Sequence, residues 1–514
     1  MQAGEEASQE QQNVPAYSWY ALGVLFLVYL TNFVDRQILS ILANDIQADL
    51  GIDDAQLGFL YGTAFAIFYA LFGIPLGRLA DASHRLRLLA IGLALWSLMT
   101  VLSGLARNLA TLTFARVGVG VGEASANPCA YSLISDWFPK HARATALSIY
   151  SAGLFLGSGL SLLIGGLIVE NWNSAFPQGG PLGLAGWQAA FLIVGSPGLL
   201  LALWVFSLKE PQRGAMDGEI SENCAKPWQE FAGELAEIVP PFTLLGAARR
   251  GRRELSINLI GAALLAAFAL GASQLAGNSQ QFWFVAIGYY AVFSWARALR
   301  AKDAATFQMT WNSPAFLAIV LTYAAISYMG YALTYWASPY AEREFLLSKA
   351  ELGWMIGAPN AIGGFLGVIT GGWLADRMSK RFAAGRVLIA AIPLIALTPL
   401  LLIGYSTSSA ALFLICNFLC QLVTSSALGA CAAASIALVA PSMRGTATAI
   451  FLLGATLVGL AFGPFSAGLI SETTGSLGLG VQYSLVAVIP GLIALWVAVK
   501  CYPAALARLQ AASA

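Results

Sequence analysis

The chain has 514 residues, of which 58% are hydrophobic and only 10% charged, and its mean hydropathy is +0.71. About a quarter of the residues of a soluble domain are charged, so this composition excludes a soluble protein and, at this length, a domain with a single anchor. A net charge of +1 and the lack of a basic tail exclude nucleic acid as a partner.

Residues 1–17 are acidic and Gln-rich, without the Lys/Arg lead of a signal peptide, and form the expected cytoplasmic N-terminal tail. Apolar runs of about 18 residues or more predict membrane helices near 18–42, 55–76, 88–106, 110–135, 144–168 and 186–208, a first bundle over 18–208. A polar linker, 209–254, follows and ends in Arg249, Arg250, Arg252 and Arg253. Two further runs, near 255–275 and 281–299, flank the short link Gly277-Asn278-Ser279-Gln280 and read as an inserted transmembrane hairpin, 255–299; a pair of interfacial or re-entrant helices is the alternative. A second bundle, 300–500, holds runs near 314–340, 351–373, 386–404, 411–439, 445–470 and 479–500, before a C-terminal tail at 501–514. The expected fold class is all-α and polytopic, with about 14 helices.

Five cysteines (Cys129, Cys416, Cys420, Cys431, Cys501) fall in or beside apolar runs and read as packing residues, and Cys224 sits alone in the linker. No metal-ligand spacing and no cofactor motif occurs, so none is expected. The only histidines, His84 and His141, lie in basic loops with no nucleophile constellation, and no Gly-x-x-x-x-Gly-Lys loop is present. An enzyme is not expected.

With both termini cytoplasmic, 22 of the 27 Lys and Arg residues fall inside and only Arg107, Arg343 and Lys349 outside, as the positive-inside rule requires. A plasma (inner) membrane location follows as the expectation. The two bundles are repeats. Ala55-Gln-Leu-Gly58 and Gly77-Arg-Leu-Ala-Asp81 recur as Ala350-Glu-Leu-Gly353 and Gly372-Trp-Leu-Ala-Asp376 at an offset of 295, and Arg143-Ala-Thr-Ala-Leu-Ser-Ile149 recurs as Arg444-Gly-Thr-Ala-Thr-Ala-Ile450 at 301. Both copies start on the same side, so the repeats are parallel, like the halves of a major facilitator transporter.

Gly77-x-x-x-Asp81-x-x-x-Arg85, after the second helix, resembles the signature loop of the major facilitator superfamily, with a degenerate copy at Gly372, Asp376 and Lys380. Locally, Gly77 permits close helix approach, Asp81 can sit at a helix N-terminus and Arg85 can reach Asp136. The resemblance implies a cytoplasmic gate made of Gly77, Asp81, Arg85, Asp136, Arg143 and Asp376, which holds the outward-open state. Three further stretches are similar to the Spinster family of lipid transporters: Asn32-Phe-Val-Asp35-Arg36, Arg116-Val-Gly-Val-Gly-Val-Gly-Glu123-Ala-Ser125, and Asp136-Trp-Phe-Pro139 followed by Gly157-Ser-Gly159. The likeness covers most of the first five helices; the second half matches at superfamily level and the hairpin departs from it.

Asp35, Arg36, Arg116 and Glu123 stand in the middle of apolar helices, where each charge costs about 2.5–3.5 kcal/mol unless it faces a partner or a wet cavity. Two carboxylates against two guanidiniums suit a paired cluster. Arg116 and Glu123 are two turns apart and share a face, with Gly120 between them leaving room for a partner or a head group, and Asn32 lies one turn before Arg36. Burial disfavours a charged carboxylate and a guanidinium favours it, so Asp35 and Glu123 are the expected proton-coupling pair. Arg36 and Arg116, with Asn32, are expected to bind an anionic head group. A purely structural ion-pair network is the competing reading. Across the cavity, Tyr331, Tyr335 and Trp336, with Asn417 and Gln421, would line an aromatic and apolar wall, although such aromatics can also be interfacial belt residues. The expected function is proton-coupled transport of an amphipathic lipid, by resemblance a lysophospholipid or sphingosine-phosphate-like molecule. Transport would be by alternating access, by a monomer among membrane lipids. A proton-coupled drug or small-metabolite antiporter is the alternative.

Overall fold

A computed structural model describes residues 14–214, 216 and 226–513; Cys224 and residues 1–13 lie outside that set. Among the described residues the regular structure is helical throughout. Thirteen helices are long and apolar enough to cross a membrane. They are α1 (Ala16–Ile41), α2 (Asp54–Ala82), α3 (Arg85–Ser103), α5 (Lys140–Ala175), α6 (Gly186–Phe206), α7 (Arg252–Ala276), α8 (Ser279–Lys302), α9 (Pro314–Phe345), α10 (Lys349–Ser379), α11 (Gly385–Gly404), α12 (Ala410–Ile436), α13 (Arg444–Thr474) and α14 (Leu477–Leu509). The expected fourth helix is present as two shorter pieces, Leu109–Glu123 and Ala126–Trp137, together α4. It breaks at Ala124–Ser125, directly after Glu123, where the Ser125 hydroxyl donates to the Gly122 carbonyl at 2.9 Å. A side chain that bonds the preceding turn competes with the helical ladder, which places the break at a charged motif.

Helix starts follow local chemistry. Asp53 and Gln56 form a capping box before α2, and Ser348 and Glu351 form its counterpart before α10. The halves pack alike: α1 lies on α5 and α2 on α4, as α9 lies on α13 and α10 on α12. This is the major facilitator fold of two six-helix repeats, with α7 and α8 inserted between them.

The halves meet along two seams, α2 with α13 and α5 with α10, closest near the face that carries the short helix Ala43–Leu50, called here the latched face. The opposite, termini face carries the linker. Glycine makes both seams possible. A Cβ at Gly58 would overlap Pro464 and Phe465 backbone, and one on either Gly159 or Gly357 would strike the other's carbonyl oxygen. Gly357→Leu is therefore expected to prop the latched face open. The check is a cysteine placed at Ser40, 1% exposed and donating to the Tyr335 carbonyl at 2.8 Å, which should become reactive to a membrane-impermeant thiol reagent only in that variant.

Gly77 and Gly372 behave differently from expectation. A Cβ on Gly77 would meet only Pro128, at 3.9 Å, and one on Gly372 would meet nothing within 4 Å, so neither glycine mediates a close approach in this conformation.

Candidate functional site

At midspan, α1 and α4 bring Arg36 and Glu123 together. The guanidinium donates Nε at 3.1 Å and Nη2 at 2.5 Å to the same carboxylate oxygen, Oε2. It is also ringed by aromatic faces, with Phe33, Phe65 and Tyr69 centroids at 4.7, 4.5 and 5.2 Å. In a water-poor setting such faces hold a cation well. Of these rings only Phe33 lies within the quoted motif; Phe65 and Tyr69, one turn apart on α2, went unread because nothing in their own stretch is charged.

The second expected pair does not form. Asp35 and Arg36 are neighbours in sequence and so point about 100° apart on a helix, and both cannot face α4. Asp35 is fully buried and turns toward Trp96 and Thr100 of α3, and both of its carboxylate oxygens lack a hydrogen-bond partner. Arg116, 1% exposed, lies over the Phe65 ring at 5.7 Å and hydrogen-bonds only the Asp35 backbone carbonyl, at 3.5 Å, while its Nε and Nη2 lack hydrogen-bond partners. Asn32 Nδ2 lies beside the Glu123 carboxylate without a well-formed hydrogen bond to it, and Glu123 Oε1 is buried without one. The arrangement is therefore one closed ion pair, one lone acid, and a set of orphaned donors, Arg116 and Asn32, on the same two helices. Such groups are costly unless another molecule satisfies them.

Gly120 does not leave room for a ligand, because a Cβ there would meet the Phe65 carbonyl and the Tyr69 nitrogen of α2. Gly118 and Gly122 face α3 in the same way, through Met99 and Trp96. These glycines wedge α4 between α2 and α3.

On the facing half, Tyr335 stacks on Tyr61 of α2 at 4.9 Å and on Tyr331 at 6.4 Å, and Gln37 of α1, missed in sequence, donates to the Thr334 carbonyl at 3.1 Å. Trp336 is fully buried, packs edge to face on Tyr61 at 5.4 Å and donates to the Pro464 carbonyl at 2.8 Å. Asn417 is buried against Asn360 of α10 at 2.9 Å, and Gln421, one turn on, is half-buried. Tyr335 and Trp336 thus both meet the first half at Tyr61, and Tyr331 stacks on Tyr335.

On the termini face Arg85 pairs with Asp136, and its Nε bonds Glu210 at 2.7 Å. Glu210 also accepts the Arg85 and Leu86 backbone N–H groups, capping α3, and Arg213 donates to the carbonyls of Ala80 and Ser83 at the end of α2. Glu210 was not anticipated; it sits just past α6, far in sequence from the loop it caps. Asp81 is exposed, Arg143 donates to the Ser135 carbonyl at 2.7 Å, and Asp376 makes an exposed contact with Arg386 at 3.4 Å.

The latched face holds a polar network that spans the halves. Arg343 donates to both oxygens of Asp54, at 2.9 and 2.8 Å, to Asn44 at 2.9 Å and to Gln47 at 2.5 Å. Lys349 pairs with Asp45 at 2.7 Å and Glu342 at 2.8 Å, and Ser471 donates to Asp54 at 2.5 Å. Arg343 and Lys349 are two of the three basic residues assigned to outer loops, the signal that could have exposed this latch. Beside it lies a cavity of about 540 Å³ lined by Asp54, Tyr340, Arg343 and Ser471. No group of His, Cys, Asp and Glu suited to a metal occurs among the described residues.

The family model of the Major Facilitator Superfamily matches residues 25–325 and 315–511. The chain is similar to an MFS-type efflux pump of Mycolicibacterium smegmatis, 28% identical over 93% of this chain and 90% of that one. Protein spinster of Drosophila melanogaster is 28% identical over 39% of this chain and 31% of its own length, and a probable L-galactonate transporter of Escherichia coli is 30% identical over 33% and 39%. Among solved structures, a bacterial homologue of the human lysosomal transporter Spinster, inward-facing and unoccupied, superposes with a TM-score of 0.70 at 25% identity, covering 96% of this chain and 98% of that one.

Proposed function

The chain belongs to the major facilitator superfamily and is related to the Spinster transporters, and we propose that it carries an amphipathic lipid across the membrane with proton coupling. The observation that carries this reading is the set of buried, unpartnered donors on Arg116 and Asn32 beside the Arg36–Glu123 pair. An anionic head group would satisfy those donors with charge-assisted hydrogen bonds, and the tyrosines of α9 offer the tail an apolar wall. A lysophospholipid or a sphingosine-phosphate-like molecule has both parts.

Asp35 is the proton carrier in this reading. It has no ion pair to break, whereas Glu123 is committed to Arg36 until a head group competes for that guanidinium. Proton and substrate are coupled in this reading because Asp35 and Arg36 are neighbours on α1, and Arg116 of α4 reaches the Asp35 backbone carbonyl. With the termini face cytoplasmic, the latch holds the outer side shut and the site opens inward. Rocking about the midplane site would then close the termini face through the Gly77–Asp81–Arg85 loop.

The test is lysolipid flux into proteoliposomes with and without an imposed pH gradient. Flux driven by the gradient is expected in the unmodified protein and lost in Asp35→Asn, with the fold intact. Flux indifferent to both gradient and substitution would return Asp35 to a structural role. The likeness to sugar-acid transporters and an efflux pump supports a second reading, since a small carboxylate would satisfy the same donors. Competition of a lysolipid against galactonate for a bound probe separates the two.

A further inference from the structure

The inserted hairpin is the largest part of the chain that the transport cycle leaves without a task, and its two helices differ. α7 packs chiefly on α8 and exposes Leu259, Ile260, Leu264 and Phe268. α8 instead lies across the seam where α2 meets α13. Toward α2, a Cβ on Gly288 would strike Ile67, and the Phe284 ring meets Phe59 at 5.2 Å and Phe68 at 5.7 Å, edge to face. Toward α13, Phe282 meets Phe465 at 5.8 Å, and Tyr289 meets Phe462 at 6.3 Å while its hydroxyl donates to the Leu457 carbonyl at 3.4 Å.

One atom joins all three elements. The Ala461 carbonyl of α13 accepts from Thr63 of α2 at 2.6 Å and from Gln281 of α8 at 3.3 Å. Gln281 is 1% exposed, so a polar group has been buried in the membrane for this contact. Among the described residues the pseudo-symmetric seam has no such cover. There α5 meets α10 at Gly159 and Gly357, the Phe155 ring lies on Gly364, and Leu156, Ile362, Phe365 and Leu366 beside it are exposed.

We propose that the hairpin seals the α2–α13 seam against the bilayer, and that the α5–α10 seam is the side by which the apolar tail of an amphiphile passes between membrane and site. The seal stands on packing alone; the route rests on the lipid-transport reading above. A chain held in the bilayer can reach the space between the halves sideways only through a seam, and one of the two is covered.

Nitroxide side chains placed singly at Phe68 and at Phe155, in a cysteine-free full-length chain in liposomes, report collisions with membrane-dissolved oxygen. The expected result is a collision rate several-fold higher at position 155 than at 68, with the rate at 68 rising in a Gly288→Leu background that lifts α8. Equal rates, or a higher rate at 68, overturn the seal. For the route, Leu156→Trp is expected to slow flux of a fluorescent lysophosphatidylcholine several-fold, while Ile287→Trp on the outer side of α8 leaves it unchanged; the reverse pattern overturns the route. If the unmodified protein carries no lysolipid, the transport reading fails while the oxygen contrast still decides the seal.

Discussion

Arg36→Ala is expected to abolish substrate flux and to lower stability by about 3–5 kcal/mol, because it strands the Glu123 carboxylate in the core. Glu123 is 1% exposed, and the carboxylate oxygen that has a partner receives both of its bonds from Arg36. Loss of stability alone would not identify a site, since any buried pair behaves so. The informative companion is Arg36→Met combined with Glu123→Met, which removes both charges and keeps most of the volume. Replacing a buried pair by apolar residues is often neutral or stabilising, so thermal unfolding in detergent should recover. Flux should not. Normal flux in the double variant would show that the pair serves the fold rather than the substrate.

Arg343→Ala is expected to release the latched face. The residue makes four hydrogen bonds, to Asn44 and Gln47 of the short helix Ala43–Leu50 and to both oxygens of Asp54 on α2, and at roughly 1 kcal/mol each in protected sites these would be worth more than its partly exposed position allows. A shift of about 2 kcal/mol toward the open latch, roughly 30-fold in the equilibrium, is a reasonable expectation. Distances between spin labels on the two halves at this face would read it. Exchanging the partners, Asp54→Arg with Arg343→Asp, should restore part of the closed population, whereas Lys349→Ala, which leaves Arg343 in place, should have the smaller effect. An unchanged distance distribution in Arg343→Ala would mean that the glycine seams alone hold this face closed.

The sequence was most legible where the physics is local. A run of apolar residues must be a helix in a bilayer because no other structure satisfies its backbone there, so the membrane class and the two repeats followed from hydropathy and spacing. The four intramembrane charges stood out for the same reason: in such a background a charge needs an explanation. Capping boxes before α2 and α10 are likewise chemistry of a few adjacent residues, whereas the fourth helix, expected as one run over 110–135, breaks after Glu123.

What the sequence could not decide was which groups meet. Counting charges suggested two pairs, but successive residues on α1 diverge by about 100°, and only the packed bundle determines that Arg36 takes Glu123 while Asp35 turns to α3. Gly120 looked like space for a ligand and is space for α2. Arg343 and Asp54 are separated by 289 residues and carry no shared motif, yet they form the latch. The hairpin's length is written in its apolar runs, but its position across one seam depends on single contacts such as Gln281 with Ala461, 180 residues apart. Membrane insertion is set by the composition of each segment by itself, and the sequence determined that much; partner choice is set by helix rotation and by the close approach of distant backbones, which only the tertiary structure supplies.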